Sequence, residues 1–140
     1  MFLNSSARSV LPTKAHLESY PRNPVPLSNL NSIMFFVADI QASRDWYRTF
    51  LGVDPVEDLP RFSSFKIGES FLNLHLADVK SPLSTGGQVA YWSSDDFDTD
   101  IKRAVSLQAV VWRGPLEFEP GKRICQIKDP FGNVFGLENW

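Results

Sequence analysis

Asp129-Pro130-Phe131-Gly132-Asn133-Val134-Phe135-Gly136-Leu137-Glu138-Asn139-Trp140 closes this 140-residue chain and governs the reading of the rest. Asp-Pro-x-Gly is a turn with a physical cause. The Asp129 carboxylate bonds the backbone ahead of it, Pro130 presets φ at the second position, and Gly132 takes the fourth. A strand is expected beyond the turn, over Asn133–Trp140. Its Val134, Gly136 and Glu138 point to one face, and Phe135 and Leu137 to the other.

Working back from that stretch, the chain states one plan twice. Ser32 to Val37 is a short apolar strand, followed by Asp39 as a helix N-cap. Ser43, Trp46, Tyr47, Phe50 and Leu51 then recur on one face of a helix that Gly52 stops. Strands follow near Val53–Asp58, Arg61–Ile67 and Ser70–Ala77, with Gly68-Glu69 as a hairpin turn. The second half opens with a strand over Gly87–Trp92. Asp95 or Asp96 caps a helix whose apolar stripe is Phe97, Ile101, Ala104 and Val105. Strands come next near Ala109–Arg113 and Arg123–Lys128, separated by a loop from Gly114 to Gly121. Laying Asp39 over Asp95 gives an offset of 56 residues between the halves. The order strand-helix-three strands, repeated, predicts an α+β protein.

Residues 1–30 read as an N-terminal arm or tail, since they hold four of the ten prolines. Thr13 caps a short helix to Tyr20, and Pro21 to Pro26 is extended because proline removes donors and restricts the preceding residue. Phe2, Leu11, Leu17 and Tyr20 give the arm the means to pack on a partner subunit. The net charge of −2, with no Lys/Arg cluster beside stacking aromatics, argues against nucleic-acid binding. The longest apolar run, Ile33–Ala38, is too short to span a bilayer. The N-terminus lacks the apolar core of a secretory signal, which leaves the cytoplasm as the expected location. The single cysteine, Cys125, excludes an internal disulfide and reads as a buried structural thiol.

On Val37-Ala38-Asp39, Trp46-Tyr47 with Leu51-Gly52, and Asp129-Pro130-Phe131-Gly132-Asn133, the chain resembles the vicinal oxygen chelate superfamily. That group includes glyoxalase, bleomycin and fosfomycin resistance proteins and extradiol dioxygenases. The resemblance covers residues 31–140. It implies two βαβββ modules, at 31–79 and 86–140, set edge to edge as a curved, cleft-bearing mixed sheet. It also implies a homodimer whose partner helps close the cleft.

The same resemblance assigns four metal-ligand positions by register: Ser32, Asn73, Gln88 and Gly136. A hydroxyl, two amides and bare backbone do not hold a divalent transition metal, which wants imidazole or carboxylate. No metal and no cofactor are therefore expected. His75 and Glu138 lie two residues beyond Asn73 and Gly136, about 6.8 Å further along their strands. They form a candidate acid–base pair, or two ligands of a displaced metal site.

Ser32, Met34, Phe36, Phe71, Asn73, His75, Gln88, Trp92 and Glu138 make up the expected ligand-binding face, with Ala90 and Val134 beside them. Aromatics with a few amides suit a planar or amphipathic organic ligand, and no Gly-rich phosphate loop is present. Two functions fit these residues. One is metal-independent sequestration of a small, partly aromatic organic molecule, similar to the bleomycin resistance proteins. The alternative is a lyase or isomerase using His75 and Glu138.

Overall fold

A computed structural model describes residues 10–21 and 25–140. Helix α1 spans Lys14–Glu18, and the Thr13 hydroxyl caps it by accepting from the His16 N–H at 3.1 Å. No residue of α1 is buried. Arg22, Asn23 and Pro24, the middle of the expected Pro21–Pro26 stretch, lie outside the described residues, as does Phe2.

Strand β1 (Ser32–Val37) leads into α2 (Ile40–Leu51), and both ends of that helix follow from sequence. Asp39 Oδ1 accepts from the Ala42 N–H at 3.0 Å, satisfying one of the orphan donors of the first turn. Gly52 adopts φ 71°, a left-handed conformation open to glycine, and donates to the Arg48 carbonyl. Strands β2 (Glu57–Leu59), β3 (Phe62–Ile67) and β4 (Ser70–Leu76) complete the first unit. The sheet order is β1-β4-β3-β2, with β1 parallel to β4 and the other pairs antiparallel.

The second unit repeats the scheme. It comprises β5 (Tyr91–Ser93), α3 (Phe97–Ser106), β6 (Val110–Glu119), β7 (Lys122–Lys128) and β8 (Val134–Glu138), in the sheet order β5-β8-β7-β6. These are the two mixed four-stranded sheets with helices that the α+β reading requires. Among the described residues no helix is long and apolar enough to cross a membrane.

Three local expectations are corrected. The loop read over Gly114–Gly121 is mostly strand: β6 runs on to Glu119, bent by register shifts that let it follow β7. The fifth strand starts at Tyr91 rather than Gly87. By register Gly87 and Gln88 fall opposite Gly132 and Asn133, which are spent in the turn, while the carbonyl of Ala90, just before the strand, accepts from the Gly136 N–H at 2.8 Å. Val105 is exposed rather than part of the apolar stripe of α3, whose buried residues are Phe97, Ile101 and Ala104.

The two units share one core on the helix side of both sheets. Phe35, Val37, Phe65, Leu72 and Leu74 of the first meet Ile127, Phe135 and Leu137 of the second. Tyr47 sits at the junction, ringed by Phe35, Phe65 and Phe135 at centroid distances of 6.4–6.5 Å. Trp46 Nε1 donates to the Leu107 carbonyl at 2.7 Å, and Arg103 Nε donates to the Phe50 carbonyl at 3.0 Å. On the sheet side, Asn133 Nδ2 donates to the Phe36 carbonyl at 3.1 Å, fastening the start of β8 to the end of β1.

The closing turn forms the deepest polar part of this junction. Asp129 Oδ1 accepts from the Phe131 and Asn133 N–H groups, each at 2.9 Å, and Gly132 N–H donates to the Asp129 carbonyl. Tyr47 donates its hydroxyl to Asp129 Oδ2 at 2.5 Å across the two units. Burial pushes the Asp129 carboxyl up, while Tyr47 and the turn N–H groups pull it back. Burial, with Asp129 alongside, holds the Tyr47 phenol well above its ordinary value. The turn is therefore both a local device and the pin between the halves.

Candidate functional site

The face of each sheet away from the helices carries the candidate site. In the first unit the register pairs Ser32 with Phe71, Met34 with Asn73, and Phe36 with His75, so these six share one face. Phe62, Ser64 and Lys66 of β3 join them. Asn73 Oδ1 is already engaged, accepting from the Ser64 hydroxyl at 2.7 Å. The His75 ring stands between Phe36 and Phe62, at centroid distances of 5.8 and 6.3 Å. His75 Nδ1 lies 2.7 Å from the Leu76 carbonyl. A carbonyl can only accept, so Nδ1 carries the proton in the neutral ring and Nε2 remains an acceptor.

In the second unit, Tyr91 pairs with Gly136 and Ser93 with Glu138, which puts Tyr91 and Ser93 on the open face. Trp92 therefore points the other way, against the shared core. This differs from its expected place on the ligand face by a single residue of offset. The helix caps Asp39 and Asp96, and the equivalent strand positions Met34 and Tyr91, show an offset of 57 residues between the halves. A one-residue slip moves a whole strand's side chains to the opposite face. With the right offset Trp92 answers to Phe35, a core residue, and Ser32 answers to Val89 rather than Gln88. Gln88 lies outside the strand, exposed. It borders a cavity of about 170 Å³ at the seam with Met34, Phe36 and Val134.

His75 and Glu138 are not brought together. His75 lies at the end of β4 beside Phe36, where the Asn133 contact places the start of β8. Glu138 is four residues further along β8, roughly 13 Å away along the strand. It lines a separate cavity of about 290 Å³ with Ser93, Ser94, Asp95 and Trp140.

The four inherited ligand positions do not fit a divalent metal. Asn73 is used by Ser64 and Gln88 has left the strand. A β-carbon at Gly136 would overlap the Tyr91 ring, coming within 2.7 Å of Cγ. The place of the last ligand is thus filled by an aromatic ring. Among the described residues, no three of His, Cys, Asp and Glu converge as a metal set.

A cavity of about 630 Å³ opens above Tyr91 in the second unit, walled by Arg113, Leu116, Ile124 and Gln126. Gln126 Nε2 donates to the Tyr91 hydroxyl oxygen at 2.8 Å. Cys125, behind this wall, is 1% exposed, and burial pushes its thiol up, so it is a packing residue rather than a nucleophile. Tyr91, Arg113 and Gln126 were missed from sequence. The correct offset would have found Tyr91. Arg113 was hidden because its strand was expected to end there.

The family model for the Glyoxalase/Bleomycin resistance protein/Dioxygenase superfamily matches residues 29–137. No relative is found among curated proteins. Among solved structures, the chain is similar to a glyoxalase/bleomycin resistance protein/dioxygenase family enzyme from Burkholderia phytofirmans PsJN. That match has 21% identity, covers 80% of this chain and 98% of that one, and has a TM-score of 0.68. It is also similar to an antibiotic binding protein from Streptomyces sp. CB03234, at 25% identity over 83% of this chain and 98% of that one, TM-score 0.66. A lactoylglutathione lyase from Agrobacterium tumefaciens matches at 24% identity over 81% and 95% of the two chains, TM-score 0.64.

Proposed function

The chain belongs to the Glyoxalase/Bleomycin resistance protein/Dioxygenase superfamily, and on that premise we propose that it binds a small, partly aromatic organic molecule on its open sheet face without a metal. One observation carries the reading: the Tyr91 ring stands on Gly136, at a position where the fold would otherwise present a ligand side chain. The rest of the face is of the same character. Met34, Phe36, Phe71 and His75 supply flat or apolar surface, and Ser32, Asn73 and Gln88 supply neutral polar groups. The similarity to the Streptomyces antibiotic binding protein supports binding of a small organic molecule.

Burying about 300 Å² of apolar ligand surface at roughly 25 cal/mol/Å² is worth up to about 7 kcal/mol before binding costs. Sequestration at that strength works when the protein is abundant or its polar contacts are good. The reading includes a cytoplasmic homodimer in which the partner subunit helps cover the open face. The separation of His75 and Glu138 along β8 speaks against their acting as an acid–base pair.

The test is a thermal-shift and calorimetric screen of aromatic compounds in the presence of a chelator. Saturable one-to-one binding with no change in the recovered compound supports a binder. Conversion of the compound, lost in His75→Ala, would establish an enzyme instead.

A further inference from the structure

We propose that the cavity above Tyr91 selects an anionic aromatic ligand, a ring bearing a carboxylate. This rests on reading the open face as a binding surface and adds the place and the charge. The cavity's volume, about 630 Å³, lies within the range of small-molecule sites. Its floor is the Tyr91 ring, fixed against Gly136, and Leu116 and Ile124 give apolar walls. A planar ring stacks there at little conformational cost.

The polar groups are set for an anion. Gln126 donates to the Tyr91 oxygen, which leaves the Tyr91 O–H proton for a guest. Arg113 stands opposite Gln126 in the strand register and has no carboxylate partner among the described residues. A planar guanidinium with unused donors is suited to bidentate recognition of a carboxylate. Glu138 pairs with the wall residue Ile124, two strands away from Arg113, and repels an anion from that side of the cavity, which favours the orientation in which the carboxylate meets Arg113.

Two matched probes test this: 2-naphthoate, ionised at neutral pH, and the neutral 2-naphthamide. They are titrated by calorimetry into the full chain, Arg113→Gln and Lys66→Gln. Lys66 is an exposed cation on the same face of the first unit. The naphthoate is expected to bind about tenfold more tightly than the amide, the size of one exposed charge-assisted hydrogen bond. Arg113→Gln removes that preference, while Lys66→Gln, whatever it does to overall affinity, keeps the preference of naphthoate over amide. Arg113 is exposed, so its variant keeps the urea midpoint of the parent. Equal affinities in the parent, or a preference that survives Arg113→Gln, overturn the anion site and leave the wider binding surface standing. A preference lost in Lys66→Gln puts the anion on the first unit and also overturns it. Binding of neither probe at millimolar concentration overturns both readings.

Discussion

The Tyr91 ring occupies the space a side chain at residue 136 would need: a β-carbon on Gly136 would overlap Cδ1 and Cε1 of that ring. The two residues pair directly across β5 and β8, so neither can move without unzipping that short ladder. Glycine here answers to a steric demand of its neighbour. Gly136→Ala is expected to cost about 1–3 kcal/mol, the usual penalty for overpacking. In the double variant with Tyr91→Ala, at least about 1 kcal/mol of the summed cost should be recovered, because the clash is gone. Urea unfolding of the four proteins measures this, and strictly additive costs would show that the ring does not rest on Gly136.

Tyr47→Phe removes the hydroxyl that donates to buried Asp129 Oδ2, at an expected cost of about 1–3 kcal/mol. Its pH dependence has a definite sign. Burial raises the folded Asp129 carboxyl above its unfolded value, so its contribution is full below the unfolded value and is lost as pH rises through the folded one. The Tyr47 hydroxyl opposes that rise. Without it the loss deepens, and the gap between Tyr47→Phe and the parent should widen from pH 4 to pH 7. A gap independent of pH would mean that the bond does not discriminate between the two protonation states of Asp129.

The Tyr47 phenol itself titrates far above its ordinary value, first because it is buried and then because Asp129 lies beside it. Stability tied to this group is complete below its unfolded value and falls as pH climbs past about 10. One tyrosine's share of the tyrosinate absorbance should therefore appear only together with loss of the far-ultraviolet circular dichroism signal. Smooth titration of every tyrosine before unfolding would contradict the buried junction.

Gly114 has φ 82°, and a β-carbon there would lie 2.9 Å from the Leu116 nitrogen and 3.0 Å from the Ile124 carbonyl oxygen. Both neighbours are backbone, so relief requires β6 to lift from β7. Gly114→Ala is expected to lower stability by about 1–3 kcal/mol and to weaken naphthoate binding, since the same strand forms the cavity wall. Unchanged binding in a destabilised variant would separate the wall from the site.

The repeat, the helix faces and the closing turn were legible because each rests on local chemistry. Asp39 and Gly52 cap α2 as their side chain and backbone freedom require, and Asp129 organises its turn as Asp-Pro-x-Gly should. The face of β5 was not legible. Asp95 and Asp96 are equally good caps on paper, and that ambiguity of one residue decides whether Trp92 or Tyr91 looks into the open face. Only the pairing with β8 resolves it. The long β6 was hidden by Gly114 and Pro115, which read as loop residues although the strand absorbs them by shifting register. His75 and Glu138 matched in position along equivalent strands. The units are fastened with the end of β1 at the start of β8, which carries equivalent strand ends apart rather than together.

Recognition of an organic ligand on this face needs no help from a metal. Calorimetric titration of 2-naphthoate before and after exhaustive chelation, with elemental analysis of both samples, tests it most directly. The same affinity is expected in both, with only substoichiometric transition metal in either. Binding that vanishes on chelation and returns with one equivalent of Zn²⁺, Fe²⁺ or Mn²⁺ would contradict it.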